Sequence, residues 1–170
     1  MKSARSGFTL IELVIAITIM TIIGVFAIAN YKPFGEDQNL KNAVLDIQSL
    51  LRTAQTNAST NTECEELSGS TWGVEFAADK TTIYLLCQKP ITVPPTIIKT
   101  SQLGASITID TVSGTGSNCT PSLPQMLYFA ALGNKIDIGG CSLLTITLKN
   151  SKTGRTKSLN VEKEGRIYAP

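Results

Sequence analysis

The sequence predicts an α+β protein in which a long N-terminal helix, its first half transmembrane, lays its second half on an antiparallel β-sheet domain. Three observations predict it. Residues 8–29 carry no charge except that of Glu12, and as a helix these ~22 residues would span about 33 Å, close to the thickness of a bilayer's hydrocarbon core. Residues 37–59 repeat apolar side chains at helical spacing. Beyond residue 60, short apolar stretches alternate with turn-forming residues, as strands do.

Residues 1–7 form a short basic leader with Lys2 and Arg5, ending at Gly7. Glu12 then stands inside the apolar run, where an ionised side chain without a partner costs several kcal/mol and is expected to serve function. No Lys or Arg lies between Arg5 and Lys32. The nearest cation would therefore be the amine released by cutting the chain between Gly7 and Phe8. An ordinary signal anchor would use Lys2 and Arg5 as its positive flank. A secretory signal, however, ends a shorter apolar run at a small-residue cleavage site, whereas here the acid lies inside the run and the plausible cut precedes it.

Residues 8–30 are thus expected to be a transmembrane helix, and residues 31–59 an amphipathic helix half. Tyr31 suits a membrane interface, and Pro33 should kink or interrupt the helix. Leu40, Val44, Ile47, Leu51, Ala54 and Ala58 then fall on one stripe, with Lys41, Asp46, Gln48, Arg52 and Gln55 mostly elsewhere around the axis. That stripe can pack on a domain.

Residues 60–170 read as a β-rich globular domain. Strands are expected at 71–76 and 81–87 around the turn 77–80, then at 106–112, 126–130, 143–149 and 155–161. The last two flank Asn150, Ser151, Lys152, Thr153 and Gly154, a good hairpin loop. Residues 111–122 are rich in Ser, Thr, Gly and Pro and read as an exposed loop, and Pro94 and Pro95 mark another break.

Four cysteines, Cys64, Cys87, Cys119 and Cys141, all follow the anchor. On the outer side of a membrane an even count suggests disulfides, and three connectivities are open. Pairing Cys64 with Cys87 and Cys119 with Cys141 is favoured, because each bond would close a sequence-local loop around a strand pair, stabilising by about 3 kcal/mol. A zinc centre is disfavoured: no Cys-x-x-Cys spacing occurs, and there is no histidine.

The missing histidine also removes Ser-His and Cys-His nucleophile pairs, and no glycine-rich phosphate loop follows a strand. Glu63, Glu65 and Glu66 around Cys64 read as a solvated loop, without the ligand spacing of a calcium site. The triplets beginning at Asn57 and Asn118 match a glycosylation acceptor and are assigned no role. Neither an enzymatic activity nor a cofactor is expected. The formal charge is +2, and loss of Lys2 and Arg5 with the leader would leave 13 basic against 13 acidic residues, which argues against broad attraction to nucleic acid.

The stretch Gly7, Phe8, Thr9, Leu10, Ile11, Glu12, Leu13 resembles the processing motif of the type IV pilin and pseudopilin family. The resemblance implies a pilin-like fold, leader cleavage after Gly7 by the prepilin peptidase, and N-methylation of Phe8. It also implies assembly through Glu12, which would pair with the terminal amine of a neighbouring subunit. The partners implied are other pilin or pseudopilin subunits, the cytoplasmic membrane with its inner-membrane assembly platform, and the peptidase. Single-pass membrane residence would precede incorporation into an extracellular or periplasmic filament.

Later, Leu127, Tyr128, Phe129, Leu132 and Gly133, then Glu164, Gly165, Arg166 and Ile167, are similar to the C-terminal pattern of the GspH and FimT minor pseudopilins. A terminal hairpin with Gly165 in its turn explains the same residues. The likeness opens two alternatives to a pilus subunit: a type II secretion pseudopilin, and a DNA-capturing minor pilin with Lys157, Lys163 and Arg166 on phosphates. DNA is disfavoured as a partner, since Tyr168 stands where FimT-like proteins tend to carry a second arginine.

Overall fold

The protein is described here by a computed structural model covering residues 9–64, 70–88, 94–131 and 135–170, with the side chains of residues 27–33 outside the description. One helix, α1 (Leu10–Ser59), contains 50 residues. It continues through Pro33, so the interruption expected there does not occur. A proline costs a helix one backbone donor and some steric conflict one turn back, and the helical hydrogen bonds on either side outweigh that here. The chain forms two compact units, residues 1–36 and residues 37–170.

In the first unit the large apolar side chains of α1 are exposed around the axis, from Leu10 (81 %) through Met20 (75 %) to Phe26 (67 %), with only Glu12, Thr18 and Thr21 polar among them. A helix without a polar face has no amphipathic solution in water and needs an apolar environment or copies of itself.

Among its described residues the second unit holds nine strands in two antiparallel sheets: β1 (Thr71–Phe76), β2 (Thr82–Gln88), β3 (Thr96–Gln102), β4 (Ile107–Thr115), β5 (Gln125–Phe129), β6 (Ile136–Asp137), β7 (Leu143–Asn150), β8 (Thr156–Glu162) and β9 (Ile167–Tyr168). The first sheet runs β3-β2-β1-β5-β6 and the second β4-β7-β8-β9. The expected helical stripe is the buried one: Leu40, Val44, Ile47, Leu51, Ala54 and Ala58 are each at most 2 % exposed. They join Trp72, Val74, Phe76, Ile83, Leu85 and Phe129 from the first sheet, and Ile109, Ile146, Leu148, Leu159 and Val161 from the second, in one core. Burying each large side chain contributes about 1.5–3 kcal/mol.

Three strands depart from expectation. β3, β6 and β9 were not anticipated, because β6 and β9 have two residues each and β3 is an edge strand whose Ile97 and Ile98 remain about half exposed. β4 is longer than expected and takes in the start of the region read as loop from 111. Its register shifts between Ile109 and Thr111. That bulge moves the inward side chains from odd to even positions, so the strict alternation that would betray a strand is lost.

The two hairpin turns hold as read. Asn150 Oδ1 accepts the backbone N–H of Lys152 at 2.9 Å and of Thr153 at 3.2 Å, and Gly154 takes a positive φ of 69°. Asp79 Oδ1 accepts the N–H groups of Thr81 and Thr82, both at 2.9 Å, while the Thr82 hydroxyl donates to Oδ2 at 2.6 Å. These bonds favour the carboxylate, and with the Thr82 hydroxyl foremost they bring the Asp79 pKa down to about 2.

Candidate functional site

Gly7 and Phe8 lie outside the described residues, which begin at the start of α1. There Thr9 is the N-cap and Glu12 the third helical residue. Glu12 Oε2 accepts the Thr9 backbone N–H at 2.9 Å and the Thr9 hydroxyl at 2.8 Å, and the Glu12 N–H donates to Thr9 Oγ1 at 3.4 Å. This is a capping box, a reciprocal arrangement that satisfies backbone donors left open at a helix start. Sequence reading saw Glu12 only as an acid lacking a cation. The signal that would have revealed its local role is the Thr-x-x-Glu spacing ahead of an apolar run.

Further along, the Thr18 hydroxyl donates to the Val14 carbonyl at 2.6 Å and the Thr21 hydroxyl to the Ile17 carbonyl at 2.7 Å. Both polar groups are thereby satisfied within the helix, as an apolar environment requires. Among the described residues no helix is long and apolar enough to cross a membrane. The transmembrane reading of residues 8–30 thus stands on the sequence, with Phe8 and the side chains of 27–30 outside the description.

Both favoured disulfides are present. Cys64 bonds Cys87 with Cα atoms 5.9 Å apart, and Cys119 bonds Cys141 at 4.5 Å. The first anchors the chain just after α1 to β2. The second fastens the segment after β4 to the segment before β7. Gly114 makes room for it: a Cβ there would collide with Cys119 Sγ and come within 2.9 Å of Cys141 Sγ and of the Leu143 carbonyl.

The three cations considered as DNA contacts are not brought together. Lys157 stands near the start of β8 and Lys163 just past its end, about 20 Å apart along a strand. Arg166 is engaged locally: its guanidinium lies 3.6 Å from Glu162 and 5.4 Å from the centre of the Tyr168 ring. Its neighbour is a cation that sequence reading did not single out for a site, Arg52. Arg52 and Gln55 line a hollow of about 260 Å³ with Gly165, Arg166, Ile167 and Tyr168.

The C-terminal turn is held down by α1. Gln48 Nε2 donates to the Ile167 carbonyl at 3.1 Å, and Gln55 Nε2 to the Gly165 carbonyl at 3.1 Å. Gly165 has φ of 99° and makes the turn between β8 and β9, so the terminal hairpin exists. Leu132 and Gly133, part of the C-terminal likeness, lie outside the described residues, as do Glu65 and Glu66. Among the described residues no group of acidic or cysteine side chains could hold a metal ion.

Comparison with known proteins agrees with this picture at both ends of the chain. Residues 2–28 match the prokaryotic N-terminal methylation motif. The fold is similar to that of the minor pseudopilin EpsH from the Type 2 Secretion System of Vibrio cholerae, at 13 % identity and a TM-score of 0.50, over 78 % of this chain and 96 % of that one. No curated protein sequence matches. Together the motif and the shared fold support the type IV pilin and pseudopilin family.

Proposed function

We propose that the chain is a structural subunit of a type IV pilus or pseudopilus filament, made as a membrane precursor, cut between Gly7 and Phe8, methylated on Phe8 and drawn from lipid into a bundle of like helices. One observation carries the reading: a stretch of α1 from Leu10 to Phe26 that is exposed and apolar around its axis, whose one acid, Glu12, is held at the first turn within the methylation motif. Helices leaving lipid gain little from the hydrophobic effect, because acyl chains are equally apolar, so register must come from packing and polar pairing. The amine released at Phe8 would lie one residue before the capping box. In this scheme the capping box keeps Glu12 solvated by the chain itself until a neighbour's amine offers a stronger, charged partner. The prepilin peptidase and the inner-membrane assembly platform are the partners the scheme requires.

The likeness to EpsH favours a second form of the same reading, a pseudopilin of a type II secretion system. DNA capture has less support, since Lys157 is remote from Lys163 and Arg166 lies against Tyr168 and Glu162. The test is the mass of the intact membrane-associated chain with and without reduction. A chain starting at methylated Phe8 and lacking four hydrogens before reduction supports the scheme. A chain that keeps residues 1–7 in cells possessing the peptidase would falsify it.

A further inference from the structure

β3 ends the first sheet, and among the described strands β2 alone is hydrogen-bonded to it. The register shows which of its backbone groups are left over. The Leu103 N–H donates to the Thr81 carbonyl at 2.9 Å, and the Thr82 carbonyl accepts the Ala77 N–H from the other side at 3.0 Å. Thr82 thus faces β1, and Gln102 opposite it turns its N–H and carbonyl away from β2. Thr100, opposite Tyr84, does the same, while Lys99 and Ser101 bond inward. The extra residue of the bulge is Ile98, which leaves Lys99 to Gln102 in regular pairing.

A free edge of this kind is a template for another strand, and proteins usually blunt it with a charge, a proline or a short length. β3 has seven residues, no proline and one charge, Lys99. Lys99 turns to the α1 side, where with Ser101 it lines a hollow of about 310 Å³ against Leu85 of β2 and Asp46, Leu50 and Thr53 of α1. Ile97 and Ile98 stay 55 % and 47 % exposed. The open edge therefore runs beside a groove with a helix for its far wall. A strand laid along it would gain backbone bonds at Thr100 and Gln102 and send alternate side chains into the hollow, the geometry of strand addition. Asp46 and Lys99 give the hollow one charge of each sign, which suits small, uncharged side chains.

A second copy of this chain offers no good strand for the edge. Among the described residues β6 and β9 have two residues each, and on β4 the Ile109 N–H already donates to the Lys80 carbonyl at 2.8 Å. Two copies of β3 paired antiparallel about their middle would set their Lys99 side chains opposite or diagonal to one another, where like charges repel.

We propose that the β3 edge and its groove against α1 form a docking site for an extended, uncharged segment of another protein, which adds a strand to the first sheet. The site lies wholly within the second unit and goes beyond the filament scheme, adding a partner that the scheme does not supply.

The experiment follows amide hydrogen exchange of the full chain in detergent micelles as the peptide acetyl-Ser-Val-Thr-Val-Ser-amide is added. At about ten times the Kd, exchange at Thr100 and Gln102 should slow about tenfold. Lys99 and Ser101 should change far less, because only the outward amides gain a partner. Thr100→Pro removes one outward N–H and spares the bonds to β2, and it should weaken binding about fivefold, the worth of one hydrogen bond. The same peptide N-methylated at every residue should have no effect on the unaltered chain. Absence of slowing up to the solubility of the peptide overturns the proposal. Equal slowing at all four amides, or equal slowing by the N-methylated peptide, overturns it as well, since neither is strand pairing. Slowing that rises with protein concentration and needs no peptide assigns the edge to a second copy, which also overturns it.

Discussion

Thr9 and Glu12 share their hydrogen bonds in a way that gives Glu12 two separable roles, cap and charge. Glutamine can keep a capping box while losing the charge. We therefore expect Glu12→Gln to insert and be cleaved normally but to enter filaments as poorly as Glu12→Ala, as measured by the share of subunit in sheared filaments. Normal incorporation of Glu12→Gln would mean that only the cap matters. Thr9→Ala should cost about 1 kcal/mol at the helix start and leave the charge in place. Asp79 makes a prediction about pH. Its carboxylate is favoured in the fold, with a pKa of about 2 against an ordinary 3.8, so its contribution to stability is complete above pH 3.8 and fades as pH falls toward 2. Acid unfolding followed between those values should be less steep in Asp79→Asn, and an unchanged profile would remove Asp79 from the account. Gly114→Ala should displace the Cys119–Cys141 bond, seen as two free thiols on alkylation of the folded chain.

At the scale of elements, α1 does its packing with one stripe and its clasping with the next. Gln48 and Gln55 reach the carbonyls of the β8–β9 turn and hold β9, an edge strand of two residues that has few ladder bonds of its own. Gln55→Ala should lose about 1 kcal/mol and speed hydrogen exchange at residues 160–168 ahead of the rest of the second sheet. Each disulfide closes a loop of similar size, with sequence separations of 23 and 22 residues. Opening either by serine substitution should cost about 3 kcal/mol in denaturant unfolding. Cys64 and Cys87 should show the effect in the exchange of the end of α1, and Cys119 and Cys141 in that of β4 and β7.

For the whole molecule, the first unit exposes large apolar side chains from Leu10 to Phe26, and the second closes its own core. In the proposed scheme the two would divide the work of assembly: the first would supply the surface to be covered by lipid or by other helices, and the second would stay folded through the transfer. Gly7→Leu should leave a full-length precursor in the membrane with its disulfides formed and no filaments; filaments built from the uncleaved chain would sink the scheme. The fold alone separates neither pilus from secretion pseudopilus, since one sheet domain can serve both.

The processing motif, the apolar run, the buried stripe on residues 40–58 and strands β1, β2, β4, β5, β7 and β8 were legible in the sequence because each is a local pattern, a spacing or a period that physics reads without knowing the rest of the chain. The cysteine pairing was legible to the extent that short loops close most readily. Other features were decided only by tertiary structure. β3, β6 and β9 exist because neighbouring strands offer them a ladder, not because their own residues demand it. The bulge after Ile109 hid half of β4 by reversing its alternation. Lys157, Lys163 and Arg166 looked like one basic tail in the sequence, but eight residues of strand and turn carry them to different ends of a sheet, and Arg52, more than a hundred residues earlier, is the cation that comes to stand beside Arg166. Local patterns are set by nearest neighbours along the chain, whereas a surface is assembled from residues that meet only when distant segments pack.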